Sequence, residues 1–322
     1  MVNESGKWYP LCFRPERQAM PWGGSLLAAF RTGESAEPGG VSWELLDGAG
    51  RSSVVVNGPL AGQTLGELTA TFKSELVGRR YQPGKPFPVY VRLLDVGKAM
   101  PLTVHADEMF ARKHPSLGVN TKFWYCLASR GAGEIMVGIG ARVTRQQLLP
   151  RMASTDRRSL LQTFAAAAGD SYLIPAGRVH SISPDSLVWE IGHNPCEPME
   201  LDPLDADGLA MAAVHFEDRQ VARVCREMAA VVTTRRIPLV HHCPYFVMDE
   251  IRLVDYLSDR TDGSSFHLFT VVSGQVELVT EAGTLALPTG STCLVPAALG
   301  NYKCLAVGAP ATVLRCRLQN LK

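Results

Sequence analysis

The sequence predicts an all-β protein of two jelly-roll barrels, with helical insertions in the first barrel. Three observations support this. Most of the chain consists of short segments of alternating apolar and polar residues, separated by turns that draw on 29 glycines and 21 prolines. Helix-like spacing of apolar residues is found only before residue 233. A spacing of glycine, five residues and proline occurs twice, at residues 169–175 and 290–296.

Length and composition bound the class of protein. The 322 residues suffice for two domains, and we expect a first barrel over 1–200, a crossover over 201–244 and a second barrel over 245–322. A formal net charge of +1 gives no electrostatic reason for a nucleic-acid or membrane partner. No apolar run reaches the length of a spanning helix, and no secretory signal or Cys-x-x-Cys pair occurs. These features predict a cytoplasmic protein with reduced thiols.

The periodicity of apolar residues places the individual elements. Leu65, Leu68, Phe72 and Leu76 have helical spacing, which predicts a helix over 62–77 that stops at Gly78. Further helices are predicted over 107–114, 144–152, 156–168 and 218–232. Alternation predicts strands of the first barrel over 89–95, 102–105, 121–128, 133–139, 171–174 and 186–191, and of the second over 245–249, 250–257, 266–272, 276–280, 283–287, 291–295 and 312–318.

The stretch from Gly169 to Ser183 has the clearest local pattern. A Gly169-Asp170 turn leads into an extended segment, and Pro175-Ala176-Gly177 then forces a second turn before His180. This order predicts a β-hairpin in which His180 projects to one face of a sheet. The spacing also resembles the second sequence motif of the cupins, which are small barrels that hold a metal or a sugar. In the repeat at 290–296 no histidine follows, which predicts a second barrel without metal.

Several motifs in the same order resemble type I mannose-6-phosphate isomerases over essentially the whole chain. They are Pro21-Trp22-Gly23-Gly24, Leu102-Thr103-Val104-His105-Ala106-Asp107-Glu108, Asn120-Thr121-Lys122-Phe123-Trp124-Tyr125, residues 133–139, and Pro175-Ala176-Gly177-Arg178-Val179-His180. The resemblance implies a double cupin that interconverts an aldose phosphate and a ketose phosphate. It also implies one zinc ion in the first barrel, which polarises the sugar while a base moves a proton between C1 and C2.

The resemblance further implies a set of site positions, and this sequence departs from it at most of them. The family's two histidine ligands correspond to His105 and His180. The glutamine ligand corresponds to Thr103, and the glutamate ligand to Lys122. A lysine and an arginine complete the family pattern; Asn120 stands at the lysine position, and no arginine occurs near Glu200, where the arginine is expected.

These replacements lead to a hypothesis about Lys122. Two imidazoles alone are a poor zinc site, because catalytic zinc normally keeps three protein ligands. An ammonium where a carboxylate is expected would oppose a cation by several kcal/mol at about 4 Å. We therefore predict that Lys122 takes the place of zinc beside neutral His105 and His180, and that no cofactor is bound unless a third ligand exists. Arg92 is predicted to reach the same cavity and bind an anion, with a surface arginine as the alternative.

Structural roles remain open for these residues. His105 and His180 are equally explained as core histidines, and Lys122 as a lysine that reaches solvent. Glu190 and His193 are weaker candidates for a replacement ligand pair with His180, against a hydrogen-bonded structural pair. The structural alternative is favoured at four more positions: Asp107 and Glu108 as helix caps, and Trp124 and Tyr125 as barrel core.

Three functions are compatible with these residues. The first is a phosphosugar isomerase of the mannose-6-phosphate type. The second is a non-catalytic relative that binds a sugar or sugar phosphate as a regulatory or partner protein. The third is a different small-molecule enzyme that uses Lys122 with the two histidines as acid and base. Residue chemistry favours a degenerate or repurposed site over ordinary isomerase activity. The expected partner is a small sugar or sugar phosphate.

Overall fold

The structure, a computed structural model, describes residues 8–34, 37–48, 50–152, 159–201, 208–218, 220–225 and 232–319. Its strands are β1 Leu11–Cys12, β2 Glu16–Ala19, β3 Gly40–Leu45, β4 Asp47–Gly48, β5 Arg51–Ser52, β6 Tyr90–Val96, β7 Thr103–Val104, β8 Lys122–Ser129, β9 Glu134–Ile139, β10 Leu161–Ala165, β11 Ser171–Ile174, β12 His180–Ile182, β13 Ser186–Gly192, β14 Met199–Glu200, β15 Ala222–Val224, β16 Arg235–Val240, β17 Phe246–Leu253, β18 Tyr256–Arg260, β19 His267–Ser273, β20 Gln275–Thr280, β21 Gly283–Pro288, β22 Thr292–Val295, β23 Asn301–Ala306 and β24 Ala311–Leu318. Its helices are α1 Leu27–Phe30, α2 Leu65–Val77, α3 Glu108–Lys113, α4 Arg145–Met152 and α5 Leu209–Ala212, with a 3-10 turn at Gly58–Leu60.

Four antiparallel sheets pair into two barrels. The first barrel joins a seven-stranded sheet, in the order β15-β11-β8-β13-β6-β3-β2, to a five-stranded sheet, β10-β9-β12-β7-β14. The second joins a six-stranded sheet, β1-β22-β19-β24-β17-β16, to a four-stranded sheet, β18-β23-β20-β21. The predicted all-β fold with helices in the first barrel is confirmed. Within the described residues no helix is long and apolar enough to cross a membrane.

Alternation along the central strands creates separate cores inside and between the barrels. On β8, Phe123 and Tyr125 face a core shared with the six-stranded sheet, whereas Trp124 faces the interior of the first barrel. Hydrogen bonds also cross between the barrels at this shared core. Trp189 Nε1 donates to Thr270 Oγ1 at 3.0 Å, and the Tyr125 hydroxyl donates to Glu250 at 2.7 Å. The two barrels are therefore packed through an apolar layer with polar ties.

Helix α2 ends before Gly78 as predicted, but it begins at Leu65, three residues later than the predicted start at 62. Thr64 caps its first turn, and Glu67 completes a capping box by accepting from the Thr64 backbone N–H at 2.8 Å. Gly78 follows with φ +99°, and a Cβ there would lie 2.4 Å from the Ser264 carbonyl oxygen. Leu65 and Leu68 are fully buried against the shared core. Glycine is thus required where the helix ends against the second barrel.

The hairpin predicted around Pro175–Gly177 is wrong, because its two strands lie in different sheets. Strand β11 pairs with β8 and β15, whereas β12 pairs with β7 and β9. The Pro-x-Gly turn therefore carries the chain from one sheet of the barrel to the other. The expected projection of His180 into the barrel is retained, since either sheet has one inward face.

Two predicted helices also differ from the structure. Within 156–168, residues 161–165 form β10, which pairs with β9, and residues 153–158 lie outside the described residues. Within 218–232, residues 222–224 form β15 at the edge of the seven-stranded sheet. In both segments, pairing with a neighbouring strand overrides the local helical spacing. Residues 219 and 226–231 lie outside the described residues.

Sheet pairing crosses the expected domain boundaries at two places. Strand β1, near the start of the chain, pairs with β22 of the second barrel through Leu11↔Leu294 and Cys12↔Cys293. Strand β16, within the expected crossover 201–244, pairs with β17. The division into 1–200, 201–244 and 245–322 remains a prediction; it places β1 in the first barrel and β16 in the crossover, although both strands pair with strands of the second barrel.

Candidate functional site

Strand register gathers the polar side chains of the first barrel into two adjacent rows. Arg92, Glu190 and Trp124 stand directly opposite one another on β6, β13 and β8. In the next row Tyr90 and Lys122 stand on either side of Gly192. Residues two apart on a strand share a face, so the two rows point into the barrel together.

Gly192 makes room for this arrangement. A Cβ at Gly192 would lie 2.5 Å from the Tyr90 hydroxyl oxygen. Without that methyl group, the Tyr90 ring lies over the strand and its hydroxyl donates to Glu190 Oε1 at 2.8 Å. The lack of a side chain at Gly192 thus allows a phenol to reach a carboxylate one row away.

Glu190 is the centre of the cluster and is fully buried. Besides Tyr90, its carboxylate accepts from Arg92 Nε at 2.6 Å and from Trp124 Nε1 at 2.6 Å, and Lys122 Nζ lies 3.4 Å away. Burial alone would raise the pKa of Glu190, but the charges of Arg92 and Lys122 and these hydrogen bonds outweigh it and hold the pKa well below its usual range. Glu190 is therefore ionised at physiological pH.

Lys122 lies inside the barrel, and the alternative of a solvent-exposed lysine is wrong. Its side chain is only 2% exposed, and its ammonium also lies over the Trp124 ring, 6.0 Å from the centroid. Burial lowers the pKa of Lys122, Arg92 lowers it further, and Glu190 opposes both effects. Arg92 also belongs to the cluster, with 18% of its side chain exposed and its guanidinium 4.9 Å from the Trp43 ring centroid. The anion that Arg92 contacts is Glu190.

The two histidines come from the opposite, five-stranded sheet. His180 stands opposite Thr103 on β7, and its Nδ1 lies 2.9 Å from the Arg178 carbonyl oxygen. That carbonyl can only accept, which assigns the ring proton to Nδ1 and makes Nε2 an acceptor for Thr103 Oγ1 at 3.1 Å. The His105 ring stacks on His180 with centroids 5.8 Å apart and planes 10° apart.

Both imidazoles are neutral at physiological pH. Burial lowers the pKa of His180 to about 3, and the charge of Lys122 contributes to the shift. The same two causes hold the pKa of His105 well below its usual value. His105 Nδ1 lies 3.5 Å from Cys196 Sγ, and its buried Nε2 has no hydrogen-bond partner among the described residues. The structure thus brings Lys122 together with two uncharged histidines.

The positions where the resemblance implies a lysine and an arginine carry no cation in this chain. The Asn120 side chain donates to the Tyr90 hydroxyl at 2.9 Å, and its buried Oδ1 has no partner in the described part of the chain. Glu200 stands on β14 opposite Thr103 and is exposed. At these two positions the chain therefore has an amide and an acid where the resemblance implies a lysine and an arginine.

The residues present do not fit a zinc ion. Zinc needs three or more nitrogen, sulfur or carboxylate donors, and no such group of His, Cys, Asp and Glu occurs within the described residues. The Thr103 hydroxyl is hydrogen-bonded to His180 Nε2 at 3.1 Å. Glu190 already accepts from three donors beside Lys122. An ammonium and a hydroxyl thus occupy the places of two implied ligands.

Sequence reasoning assigned Glu190 a minor role with His193, but the structure gives these residues different partners. His193 Nδ1 accepts from the Thr121 backbone N–H at 3.0 Å, and its ring stacks on Tyr245 with centroids 3.6 Å apart. The sequence could have identified Glu190, because alternation along its strand places its side chain on the same face as the interior positions of the neighbouring strands. Asp107 caps α3 by accepting from the Phe110 N–H at 2.6 Å, as expected.

Fold and site together define a double cupin whose first barrel is lined by a polar, partly histidine-based cluster. Mannose-6-phosphate isomerase ManA of Bacillus subtilis is 26% identical over 315 residues, which cover 91% of this chain and 95% of ManA. Probable mannose-6-phosphate isomerase GmuF of the same organism is 33% identical over 189 residues, and the match spans 58% of each chain. In sequence and fold the chain resembles the type I mannose-6-phosphate isomerases. No family model matches the sequence.

Solved structures show the same fold. The mannose 6-phosphate isomerase of Bacillus subtilis superposes with a TM-score of 0.77 at 23% identity, covering 96% of this chain and 99% of that one. The mannose 6-phosphate isomerase of Salmonella typhimurium, bound to its substrate f6p and a zinc atom, superposes with a TM-score of 0.76 at 12% identity, covering 97% and 100%.

Proposed function

We propose that this chain is a mannose-6-phosphate isomerase-like cupin that binds a sugar or sugar phosphate without zinc-dependent isomerisation. The observation that carries the proposal is the buried pair of Lys122 Nζ and Glu190, 3.4 Å apart, at the position where the family resemblance implies a zinc-ligating glutamate. A cation of the protein itself stands where a bound cation is expected, which leaves the family mechanism without its Lewis acid.

Electrostatics supports the exclusion of zinc. The cluster already contains two cations, Arg92 and Lys122, and one carboxylate, Glu190. A dication introduced among them would face a net positive environment in a medium of low dielectric, which costs several kcal/mol at about 4 Å. His105 and His180 remain neutral, so they add no negative charge to offset this.

The proposed ligand class comes from the family and agrees with the local charge. The Salmonella relative is bound to f6p, and the present cluster retains a surplus of one positive charge with Arg92 partly exposed. His105 Nε2 and Asn120 Oδ1 are buried atoms without a hydrogen-bond partner among the described residues. Both atoms could form hydrogen bonds with the hydroxyl groups of a bound sugar. A cytoplasmic location remains part of the proposal.

The test measures metal content and turnover in protein prepared without a histidine tag and exposed to excess zinc. We expect no stoichiometric zinc and no isomerisation of mannose 6-phosphate. The double variant Thr103→Gln/Lys122→Glu restores the implied donor types, and we expect it to take up zinc, with Thr103→Gln alone as the matched control. About one zinc per wild-type chain, lost in His180→Ala and accompanied by turnover, would overturn the proposal.

A second function, proton transfer without metal, is favoured by one observation. His105 is neutral, and its Nε2 makes no hydrogen bond within the described residues, so it is free to act as a base beside the ammonium of Lys122. Isomerase turnover that persists in a chelator and disappears in His105→Gln would establish this function. If chelator-treated protein shows no turnover with aldose phosphates, the binding function stands instead.

A further inference from the structure

A second cavity lies outside the first barrel. It has a volume of about 570 Å³, within the range of small-molecule sites. One wall consists of the end of α2 and the segment 80–88, and the other consists of the loops 117–119 and 193–195. Tyr245, at the start of the second barrel, also lines it. The cavity therefore lies where the two barrels meet, and it contains none of the residues assigned to the barrel interior.

We infer that this inter-barrel cavity binds a small organic anion with an apolar body and a phosphate or carboxylate head. Its lining includes two cationic side chains, Arg80 and Lys85, and no aspartate or glutamate. Neither cation forms an ion pair among the described residues; Arg80 is held instead by the carbonyl oxygens of Pro244 and Gln319, at 2.9 and 3.1 Å. Two uncompensated positive charges in one cavity favour an anion.

His193 adds a neutral imidazole of fixed orientation. Its Nδ1 lies 3.0 Å from the backbone nitrogen of Thr121 and 3.3 Å from the Thr121 carbonyl oxygen. Burial lowers the pKa of His193 to about 4, which keeps the ring uncharged at physiological pH. Its stacking on Tyr245 holds the ring plane, and Tyr245 in turn donates its hydroxyl to Glu108. The Glu108 carboxylate is thereby engaged with Tyr245, and it does not line the cavity.

The rest of the lining is mainly apolar, which calls for an organic ligand in place of a bare inorganic ion. Phe87, Leu117 and Val119 contribute side chains to it, together with three prolines. Phe87 is almost fully buried, and its backbone N–H donates to Asp47 at 2.8 Å, so this wall is held in place before any ligand binds. A preformed apolar wall beside two cations matches an amphiphilic anion.

The cavity is connected to the barrel interior through two backbone segments. His193 accepts from the N–H of Thr121, which directly precedes Lys122. The loop 193–195 runs directly into Cys196, whose sulfur lies 3.5 Å from His105 Nδ1. A ligand that fixes His193 would therefore also fix the segments that position Lys122 and Cys196. This places the cavity as an effector site separate from the sugar site; its effect on that site rests on the proposed function, whereas anion binding in the cavity does not.

Isothermal titration with phenyl phosphate, at low and moderate salt, tests the inference. Wild type should bind it more tightly than inorganic phosphate, and added salt should weaken binding. Lys85→Gln should weaken binding at least tenfold, and Leu117→Trp, which fills the cavity, should abolish it. The matched control Lys98→Gln removes an exposed lysine outside the cavity and should leave the affinity unchanged, as should His180→Gln in the barrel interior.

Two results would overturn the inference. One is the absence of phenyl phosphate binding by folded wild-type protein at millimolar concentration. The other is an affinity that His180→Gln reduces but Lys85→Gln and Leu117→Trp do not, which would place the anion in the barrel. Thermal unfolding of each variant establishes that loss of binding does not reflect loss of the fold. Benzoate, titrated in parallel, decides between a carboxylate and a phosphate head.

Discussion

Glu190→Gln is expected to be among the most destabilising substitutions of a single buried polar group in the first barrel. The carboxylate accepts three hydrogen bonds at 2.6–2.8 Å and faces the Lys122 ammonium at 3.4 Å. Glutamine keeps one acceptor oxygen and presents an amide N–H₂ to a group of donors. Arg92 and Lys122 would then both be buried without a counter-charge. Removing one partner of such a cluster costs about 3–5 kcal/mol.

Lys122→Met should reduce the free energy of unfolding by less than Glu190→Gln does. Lys122→Met leaves Glu190 with Arg92, Tyr90 and Trp124, and it removes only the longest of the four contacts. We therefore expect a loss of about 2 kcal/mol. The double variant Lys122→Met/Glu190→Gln should cost less than the sum of the two, because it removes opposite charges together.

The assay is urea unfolding followed by tryptophan fluorescence at neutral pH, with Glu200→Gln as control. Glu200 is exposed, and its substitution should change the free energy of unfolding by less than about 0.5 kcal/mol. The reasoning would be refuted if Glu190→Gln cost less than about 1 kcal/mol, or less than Lys122→Met. Either result would mean that Glu190 is not the group that holds the two cations.

Three further predictions concern pH, packing and capping. Between pH 6.5 and about 3, His180 is protonated in the unfolded chain but not in the folded chain, so the free energy of unfolding of the wild type falls as pH falls. His180→Gln should remove up to roughly 5 kcal/mol of this pH dependence. Urea unfolding across that pH range measures the change. Gly192→Ala should cost about 1–3 kcal/mol, because its Cβ would lie 2.5 Å from the Tyr90 hydroxyl oxygen, and should lower the melting temperature. Thr64→Ala should cost about 1 kcal/mol by removing the acceptor for the Glu67 N–H, measured by urea unfolding.

Each of these predictions has a contrary outcome. An unchanged pH slope in His180→Gln would show that residue 180 is protonated equally in both states. An unchanged melting temperature in Gly192→Ala would show that Tyr90 moves without loss. A loss in Thr64→Ala no larger than in Thr284→Ala, where an exposed threonine stands on β21, would show that the capping box adds nothing.

The pattern of barrels was predictable because alternation and turn residues are local. The same reasoning failed where a strand changes sheets: Pro175 and Gly177 indicate a turn, but a turn alone does not tell a hairpin from a crossing between sheets. Over 156–168 the local sequence predicted a helix, yet 161–165 pairs with β9. Strand pairing is a long-range interaction that local propensity does not contain.

The candidate site divides in the same way. Lys122, His105, His180 and Thr103 were identified because the family resemblance assigns each of them a position. Glu190 was underrated, because its importance depends on which residues of β6 and β8 stand opposite it, and that register is set by the whole sheet. The strand register therefore determines the partners of Glu190, and a local sequence motif does not specify that register.

The pairing of β1 with β22 has a consequence for synthesis of the protein. Leu11 lies far ahead of its partner Leu294 in the sequence, so β1 leaves the ribosome well before β22. Strand β1 therefore has no partner strand until β22 has emerged. During that interval the strand carrying Cys12 presents unpaired backbone groups, which are a template for intermolecular pairing. Protection by chaperones during translation should consequently matter most at β1, which waits for a strand of the second barrel, even though the first barrel carries the proposed sugar site.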